Sequence, residues 1–454
     1  MANQPAGCAN SNGSDSGGKG SMSWWQLSLL GVGCTIGTGY FLGSAIGIRQ
    51  TGPSILFSFI LAAIGTYIVY NLLAKMTTED PQEGSFCYYA AKAFGKWAGF
   101  SCGWNYWCSN ILIMGSQLTA LAILSQFWFP SVALWVFASG YAILSLLIVF
   151  LGTNSFDKAE DLFAIIKTAA IIMFIVIASL ALFGVIEGNG KLPELSFSHE
   201  DLFPEGLKGL WSSLIYAFYA YGGIEVIGLM AMQLKDKKDA PKAGNVMLMI
   251  LTFIYVASLA LAVLLISSDA FNDKESPFVT ALGKYNLPFF PHVFNGAIII
   301  AGFSALTAAL FAVTNLLVTL AKDGDAPKIF EKKLKKHKDL PLPSLTLATL
   351  GLIASVVTAL LLPGKVYEYL TTAAGILLLY NWAFIILSAF KILKQKRSGI
   401  MIGISGLALL LSAVTGTILE KSIRFGFYIS LLLVAVIAVI AFFMNKKWKK
   451  DHIV

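Results

Sequence analysis

Residues 30–43, with the sequence LGVGCTIGTGYFLG, decide how this chain folds. The stretch lies inside a long apolar run, where each glycine in a helix interior costs about 1 kcal/mol relative to alanine in water. Close helix packing accounts for Gly39, Gly43 and Gly47, because small residues four positions apart share one face of a helix. It does not account for the remaining glycines, which cover several faces. We therefore predict that the first helix is unwound over 33–39.

A second stretch, FYAYGGIE at 218–225, places a Gly-Gly pair and an acid in the middle of another apolar run. Interruptions at corresponding positions in the two halves of a membrane protein indicate a binding site near the bilayer midplane. Non-helical backbone persists at that depth only where protein or a water-filled cavity surrounds it. The two stretches together predict a site between two broken helices.

The composition places this protein in a lipid bilayer. Of its 454 residues, 57% are hydrophobic and 13% are charged, against about 45–50% and about 25% in soluble domains. The mean hydropathy is +0.73. A net charge of +8 would suggest a nucleic-acid partner in a soluble protein, but most of the basic residues lie between apolar runs. Membrane topology explains them better, and no nucleic-acid binding is expected.

Twelve runs are long and apolar enough to cross a membrane, since a spanning helix needs about 20 mostly apolar residues. They lie at 25–48, 53–74, 98–125, 132–151, 162–186, 209–234, 244–267, 293–321, 344–362, 370–390, 400–418 and 426–444. Ten of them contain no charged residue, and the other two hold Lys167 and Glu225. The expected fold class is an all-α integral membrane protein.

The distribution of basic residues predicts the orientation. If both termini are cytoplasmic, 24 of the 33 Lys and Arg residues fall on the inner side, 8 on the outer side, and Lys167 within a span. Such an excess is typical of cytoplasmic loops, so we expect a multi-pass protein of the cell membrane with both ends inside. Residues 1–22, rich in Gly, Ser and Asn, are expected to form a disordered tail, and 445–454 a basic cytoplasmic tail.

Two moderately polar segments suggest that a five-helix unit occurs twice. Residues 79–97 follow the second span and 276–291 follow the seventh, and each is compatible with a short interfacial helix or with an ordinary loop. Because five is odd, the two copies would have opposite orientation. The expected units are 23–206 and 207–391, followed by two additional helices at 392–444.

The two predicted breaks have complementary chemistry. A half-helix that restarts near Gly37 exposes N–H groups and a positive dipole end, which suit a carboxylate. A half-helix that ends near Tyr219 exposes carbonyl groups, which suit an ammonium group. Together they fit the backbone of a zwitterionic α-amino acid, and glycine allows the ligand to approach the main chain closely.

Two ionisable residues inside predicted spans each have a structural and a functional interpretation. Lys167, about 8 Å from the start of its span, either extends to the interface or binds and releases a proton. Glu225 either caps the second half of the sixth helix or relays protons. We retain Lys167 as the proton-coupling candidate and Glu225 as a secondary one.

The chain resembles the amino-acid/polyamine/organocation superfamily, and within it the bacterial amino-acid permeases. The matching motifs occur in order through most of the chain and are listed here by position. They are IGTGYFLGSA at 36–45, TGP at 51–53, DPQEGSF at 80–86, AGFSCGWNYW at 98–107, KAEDLFAIIK at 158–167, FYAYGGIEVIG at 218–228, APKA at 240–243 and LAKDGDAPKIF at 320–330. One glycine-rich string would be weak evidence, but the ordered series is highly specific.

The resemblance implies a LeuT-type fold of about twelve helices, with two inverted five-helix repeats, broken first and sixth helices and two additional C-terminal helices. It implies secondary uptake of amino acids, usually coupled to protons, and Lys167 matches the fifth-helix lysine linked to that coupling. The substrate carboxylate would meet the first broken helix and the ammonium group the sixth. The expected substrate-binding residues are Cys34, Thr35, Gly37, Thr38, Gly39, Phe218, Tyr219, Ala220 and Gly222.

The chain departs from the family pattern at several positions. Ala74-Lys75 follows the second span where relatives often have Gly-Glu, and Gln117 and Gln233 stand where many have Glu. The eighth span reads SALTAALFAVTN at 304–315 in place of a Ser/Asn-rich pattern. These differences bear on coupling, gating and substrate preference.

The expected function is import of a neutral amino acid by alternating access, with proton symport as the coupling. Apart from Glu225, no acid or base flanks the breaks, and the side chains of Cys34, Thr35, Tyr219 and Tyr221 favour a small or aliphatic substrate. The alternatives are a sodium-coupled or uncoupled exchanger of the same fold and, in another class, a non-transporting amino-acid sensor. An ion channel is disfavoured because no filter repeat or gating-arginine series occurs, and an enzyme because no Ser/His/Asp set or HExxH motif is present.

No cofactor and no metal site are expected. The five cysteines form no CxxC pair and the four histidines are scattered, so neither a disulfide framework nor a zinc site is predicted. The expected partners are an amino acid, a proton and the lipid bilayer, without an obligate protein partner.

Overall fold

The computed structural model describes residues 22–82, 84–151, 154–188, 198–225, 234–272, 274–332, 340–362 and 365–451. Of the predicted tail at 1–22, only Met22 lies among the described residues. Residues 226–233 of the sixth predicted span, including Gln233, also lie outside them. The described chain is helical and contains no β-strand, as expected for an all-α membrane protein.

Seventeen α-helices follow one another along the described chain. In order they are α1 (Trp24–Thr35), α2 (Thr38–Phe41), α3 (Gly43–Thr51), α4 (Ile55–Glu79), α5 (Ser85–Phe94), α6 (Lys96–Ser125), α7 (Leu134–Leu151), α8 (Asn154–Leu182), α9 (His199–Leu202), α10 (Gly206–Ala220), α11 (Ala240–Leu265), α12 (Pro277–Leu282), α13 (Phe289–Lys322), α14 (Leu342–Leu361), α15 (Val366–Ile392), α16 (Arg397–Leu419) and α17 (Arg424–Asp451).

A helix lies at each of the twelve predicted spans. Within the described residues, nine helical segments are long and apolar enough to cross a membrane by length and composition, and α7 adds a shorter apolar one. The first span is divided into α1, α2 and α3, and the helix of the sixth span stops at Ala220. Both interruptions agree with the prediction of two broken helices.

The two segments that were compatible with either a loop or an interfacial helix both contain a helix, α5 and α12. Helix α5 buries Phe86 and Tyr89, and the Tyr89 hydroxyl donates to the Asp80 carbonyl oxygen at 2.7 Å. Lys92 pairs with the Asp80 carboxylate at 2.5 Å, and this hydrogen bond lowers the pKa of Asp80. These contacts fix α5 against the end of α4.

Helices α6 and α15 pack closely along each other. The Asn105 side-chain amide donates to the Leu377 carbonyl oxygen at 2.7 Å, and the Ser109 hydroxyl donates to the Ala374 carbonyl oxygen at 3.0 Å. Hydrogen bonds between helices stabilise their association in a bilayer, where apolar contact alone gives no hydrophobic gain. The α6–α15 pair therefore forms a fixed wall beside the broken helices.

A second cluster ties the C-terminal helix to the start of α6. The Trp104 indole donates to the Asp325 carbonyl oxygen at 2.9 Å. The Lys96 ammonium lies 3.8 Å from the Asp325 carboxylate and 5.0 Å from the centre of the Trp448 ring. Burial raises the pKa of Asp325 to about 6 in spite of the nearby lysine. The cluster joins α6, α17 and the segment after α13.

Gly209 permits α10 to pack against α3. A Cβ atom at this position would lie 2.3 Å from the Gln50 carbonyl oxygen and 2.7 Å from the Glu205 Cβ. Because the nearest obstacle is main chain, no rotamer change could make room for a side chain. The contact fixes the distance between α10, which leads into the second break, and α3, which leads out of the first.

The substitution Gly209→Ala is therefore expected to lower the free energy of unfolding by about 1–3 kcal/mol, the usual cost of overpacking. Gly296→Ala is the matched control, because Gly296 lies inside α13 and an added Cβ meets no atom within 4 Å. Thermal unfolding of both variants in one detergent should show a lowered midpoint for Gly209→Ala alone. Equal midpoints would contradict the close backbone contact.

Candidate functional site

The first break separates α1 from α2. Ile36 (φ −68°, ψ 111°) and Gly37 (φ −144°, ψ −173°) have extended backbones, and α2 begins at Thr38. The break is shorter than the predicted 33–39, because the Ile36 N–H still donates to the Val32 carbonyl oxygen at 3.1 Å. The helix therefore continues through Gly33 and stops where the Gly37-Thr38-Gly39 run begins.

The second break follows α10. Residues 221–223 form a turn, and helical backbone resumes at Ile224. Gly223 has a φ of +108°, a conformation that residues with a side chain rarely adopt. The Gly-Gly pair predicted this turn, and Gly223 is the member of the pair whose backbone requires glycine.

The two breaks lie against each other. A Cβ atom at Gly39 would lie 2.6 Å from the Tyr219 ring, and a Cβ at Gly223 would lie 3.8 Å from the Thr35 Cα. Close approach therefore decides the residue type at Gly39. An added Cβ at Gly37 would meet only the Thr35 carbonyl oxygen at 4.0 Å, so space beside Gly37 stays open.

The Tyr219 side chain occupies the centre of this site. Its hydroxyl lies 2.8 Å from the Ser116 hydroxyl on α6, and a Cβ at Gly375 on α15 would lie 3.6 Å from its ring. Tyr219 thus contacts the first break through Gly39 and the α6–α15 wall through the two other residues. The ring lies beside both facing backbones.

The main-chain groups of the first break suit an anion. Thr38 and Gly39 are the first residues of α2, so their N–H groups have no carbonyl one turn earlier to bond. Helical backbone continues from α2 through Leu42 (φ −117°, ψ −38°) into α3. The positive end of this helix therefore points at the break.

The main-chain carbonyls at the end of α10 already accept hydrogen bonds. The Phe218 and Tyr219 oxygens accept from the N–H groups of Tyr221 and Gly222, both at 3.0 Å. The Ala220 oxygen accepts from the Tyr255 hydroxyl at 3.1 Å. Each carbonyl oxygen has a second lone pair, so an ammonium group would add to these bonds or displace them.

The other predicted site residues lie at the edge of the two breaks. The Phe218 ring packs toward Gly65 of α4 and against Trp382, so only its main chain faces the break. A Cβ at Gly222 would lie 2.9 Å from Leu378. Cys34 is disulfide-bonded, which the sequence did not predict and which removes its free thiol from the site.

The structure buries both membrane charges. Lys167 is 4% exposed and Glu225 is 3% exposed. The burial of Lys167 argues against extension of its side chain to the interface. Its helix, α8, packs against α1. The Glu225 carboxylate accepts from the Gly223 N–H at 3.2 Å and from the Trp382 indole at 3.3 Å. Glu225 therefore bonds the backbone of the turn at 221–223, in agreement with its structural interpretation.

A cavity of about 1010 Å³, here called the vestibule, opens beside the site. Its polar lining comes from helix ends and the segment between α11 and α12, and consists of Gln126, Asn272, Lys274, Glu275 and Glu368. Ile46 of α3, Thr119 of α6 and Tyr367 of α15 also line it. The Tyr367 hydroxyl donates to the Thr38 carbonyl oxygen at 3.0 Å.

Three residues around the breaks escaped the sequence-based prediction: Ser116, Tyr255 and Tyr367. Each is a common residue type in a span, and no local pattern distinguishes it from other serines and tyrosines of the chain. Their roles depend on helices that are distant in sequence. The family motifs that were matched do not include their positions, so only the three-dimensional structure identifies them.

The contact between Gly39 and Tyr219 can be measured by a double-mutant cycle. Gly39→Ala is expected to destabilise the protein, because its Cβ would overlap the Tyr219 ring. In a Tyr219→Leu background, Gly39→Ala should lower the free energy of unfolding by at least about 1 kcal/mol less than in the wild-type background. A difference of this size is the coupling typical of residues in contact. Thermal unfolding of the four variants gives this coupling, and additive effects would show that the two breaks do not touch.

Comparison with known proteins agrees with this architecture. The family model "Amino acid permease" matches residues 26–454. Among solved structures, a manganese transporter of Eremococcus coleocola matches with a TM-score of 0.55 and 12% identity, and the match covers 92% of each chain. At that identity the match shows the shared fold alone.

Two relatives are similar over most of their length. The uncharacterized transporter YcgH of Bacillus subtilis is 52% identical over 429 residues, which cover 94% of this chain and 96% of YcgH. The aromatic amino acid transport protein AroP of Corynebacterium glutamicum is 31% identical over 385 residues, which cover 82% of this chain and 81% of AroP. This protein therefore belongs to the amino acid permease family of membrane transporters.

Proposed function

We propose that this permease imports a neutral amino acid across the cytoplasmic membrane by alternating access, driven by proton symport. The observation that carries the proposal is the pair of broken helices whose interrupted backbones face each other through Gly39, Tyr219, Thr35 and Gly223. Such a pair has little structural benefit, because each break forfeits helical hydrogen bonds. It provides a binding site made of main-chain dipoles.

The charges of the site match a zwitterion. The substrate carboxylate would bind the N–H groups of Gly37, Thr38 and Gly39, at the positive end of α2. The ammonium group would bind the carbonyl oxygens of residues 218–220, at the negative end of α10. AroP, named as an aromatic amino acid transport protein, supports an amino acid as the class of substrate.

A neutral side chain fits the remaining surroundings. Glu225, the acid that follows the second break, already accepts hydrogen bonds from the Gly223 N–H and the Trp382 indole. A cationic substrate would have to compete for that carboxylate. The Tyr219 ring and the adjoining Gly375 present apolar surface to the site, which favours a small or aliphatic side chain.

A thermal-shift screen of the purified protein against the twenty amino acids tests the substrate class. A bound ligand raises the apparent stability by about 2.7 kcal/mol at a concentration of 100 Kd. Neutral amino acids are expected to raise the unfolding midpoint. The matched amino alcohol lacks the carboxylate and the matched hydroxy acid lacks the ammonium group. Both compounds should leave the unfolding midpoint unchanged. A shift produced by the arginine or glutamate class alone would contradict a neutral substrate.

The orientation in the membrane determines the direction in which the membrane potential drives transport. With both termini cytoplasmic, as the basic residues of the loops predict, the vestibule faces outward. Each proton carried inward with a neutral zwitterion moves one charge, which provides about 2.3 kcal/mol per 100 mV of membrane potential. Lys167 is the proposed proton carrier, because it is buried on α8, a helix that packs against the first broken helix.

Uptake into proteoliposomes with an imposed pH gradient tests the coupling. The wild-type protein is expected to accumulate its amino acid, with sodium replaced by potassium or choline. Lys167→Ala should abolish accumulation and leave exchange of internal for external substrate. Lys421→Ala, a change at an exposed lysine between α16 and α17, is the matched control and should accumulate normally.

Three results would contradict the proposal. Accumulation that requires sodium would favour the sodium-coupled alternative. Accumulation that survives in Lys167→Ala would remove this residue from coupling. Binding without any transport would favour a sensor.

A further inference from the structure

The vestibule ends where the first break begins. On each of two helices, one residue lines the vestibule and another, further along the same helix, contacts the site. On α6 these are Thr119 and Ser116, and on α15 they are Tyr367 and Gly375. At 1.5 Å per helical residue, the site lies about 5 Å beyond Thr119 along α6 and about 12 Å beyond Tyr367 along α15. The vestibule and the site are successive parts of one path.

Tyr367 stands between these two parts. Its side chain borders the vestibule, yet the residue is only 4% exposed. Its hydroxyl donates to the carbonyl oxygen of Thr38, the first residue after the break. A Cβ at Gly43 would lie 3.6 Å from the same hydroxyl, so the ring is held against the helix that leads out of the break.

The bond joins two different helices. Thr38 belongs to the broken helix, whereas Tyr367 belongs to α15, which is fixed to α6 by the hydrogen bonds of Asn105 and Ser109. The bond therefore ties the interrupted helix to the α6–α15 wall. The tie lies at the vestibule floor, where a substrate would pass.

We propose that Tyr367 is the outer latch of the transport path: its bond to Thr38 closes the floor of the vestibule over the site, and its release admits the amino acid. This inference rests on the proposed transport function and adds a residue that controls access rather than binding. The ring blocks the path, and the hydrogen bond of the hydroxyl holds the ring in that position. Loss of the hydroxyl alone should therefore loosen the floor without changing the shape of the side chain.

Cysteine labelling in membranes measures whether a reagent in the vestibule can pass its floor and reach the site. A membrane-impermeant methanethiosulfonate reagent is added from the vestibule side to chains that carry Ser116→Cys or Thr119→Cys, and the rate of the parent chain is subtracted. Thr119→Cys, on the vestibule side of the latch, should react at least about tenfold faster than Ser116→Cys, only three residues away on the same helix. Equal rates would show that no barrier exists, whatever the behaviour of Tyr367 variants.

The latch itself is tested in the Ser116→Cys chain. Tyr367→Phe should raise the labelling rate about 2- to 10-fold, which corresponds to the loss of one neutral hydrogen bond. Tyr369→Phe is the matched control, because Tyr369 lies on the same helix and its ring packs against Phe425. An unchanged rate in Tyr367→Phe, or an equal rise in both variants, would overturn the latch.

The labelling experiment does not depend on transport, so the two proposals fail separately. If the wild-type protein accumulates an amino acid but Tyr367→Phe labels at the parent rate, the latch is wrong and the transport function stands. If no amino acid is bound or moved, the proposed function is wrong, and with it the role of Tyr367 as an entry control, even where the labelling rates differ.

Discussion

Backbone polarity in a bilayer is the constraint on which the rest of this structure depends. A helix that stops inside the membrane exposes N–H and carbonyl groups that lipid cannot satisfy, so every interruption must be enclosed and given partners. The partners come from several helices: the Tyr255 hydroxyl on the Ala220 carbonyl oxygen, the Tyr367 hydroxyl on the Thr38 carbonyl oxygen, and the Glu225 carboxylate on the Gly223 N–H. The bundle around the site exists in this form because two helices are broken.

Tyrosine has a particular part in this arrangement. Tyr40, just beyond the first break, stacks on Tyr255 with ring centroids 3.9 Å apart, and Tyr255 in turn bonds the end of α10. Tyr219 contacts the first break from the end of α10, and Tyr367 borders the vestibule. Each side chain combines a broad apolar ring, which packs without cost in a lipid-like interior, with one hydroxyl for a freed main-chain group. The breaks are thus connected on one side by Tyr40 and Tyr255 and on the other by Tyr219.

The sequence predicted those parts of the fold that have a local signal. Long apolar runs identified the helices, and the clustered glycines identified both interruptions, because glycine is unfavourable inside an ordinary helix. Lys167 and Glu225 were conspicuous as charges inside spans. The extent of the first break was overestimated, since Gly33 is compatible with a helix and close packing. The contact of Gly39 with Tyr219, the Ser116 hydroxyl and the Tyr367 bond could not be predicted, because each joins helices that are remote in the chain and uses a residue type found throughout it.

The size of the vestibule has a consequence for where the membrane potential acts. A space of about 1010 Å³ with carboxylate, ammonium and amide groups on its wall is wide and polar enough to hold water, and in the proposed orientation it would carry the outside potential down to its floor. The electric field would then be concentrated in the remaining thickness of protein rather than spread over the ~30 Å of hydrocarbon. A charge moving past the breaks would cross most of the voltage within a few helical turns, so buried groups at that depth would sense changes in potential most strongly.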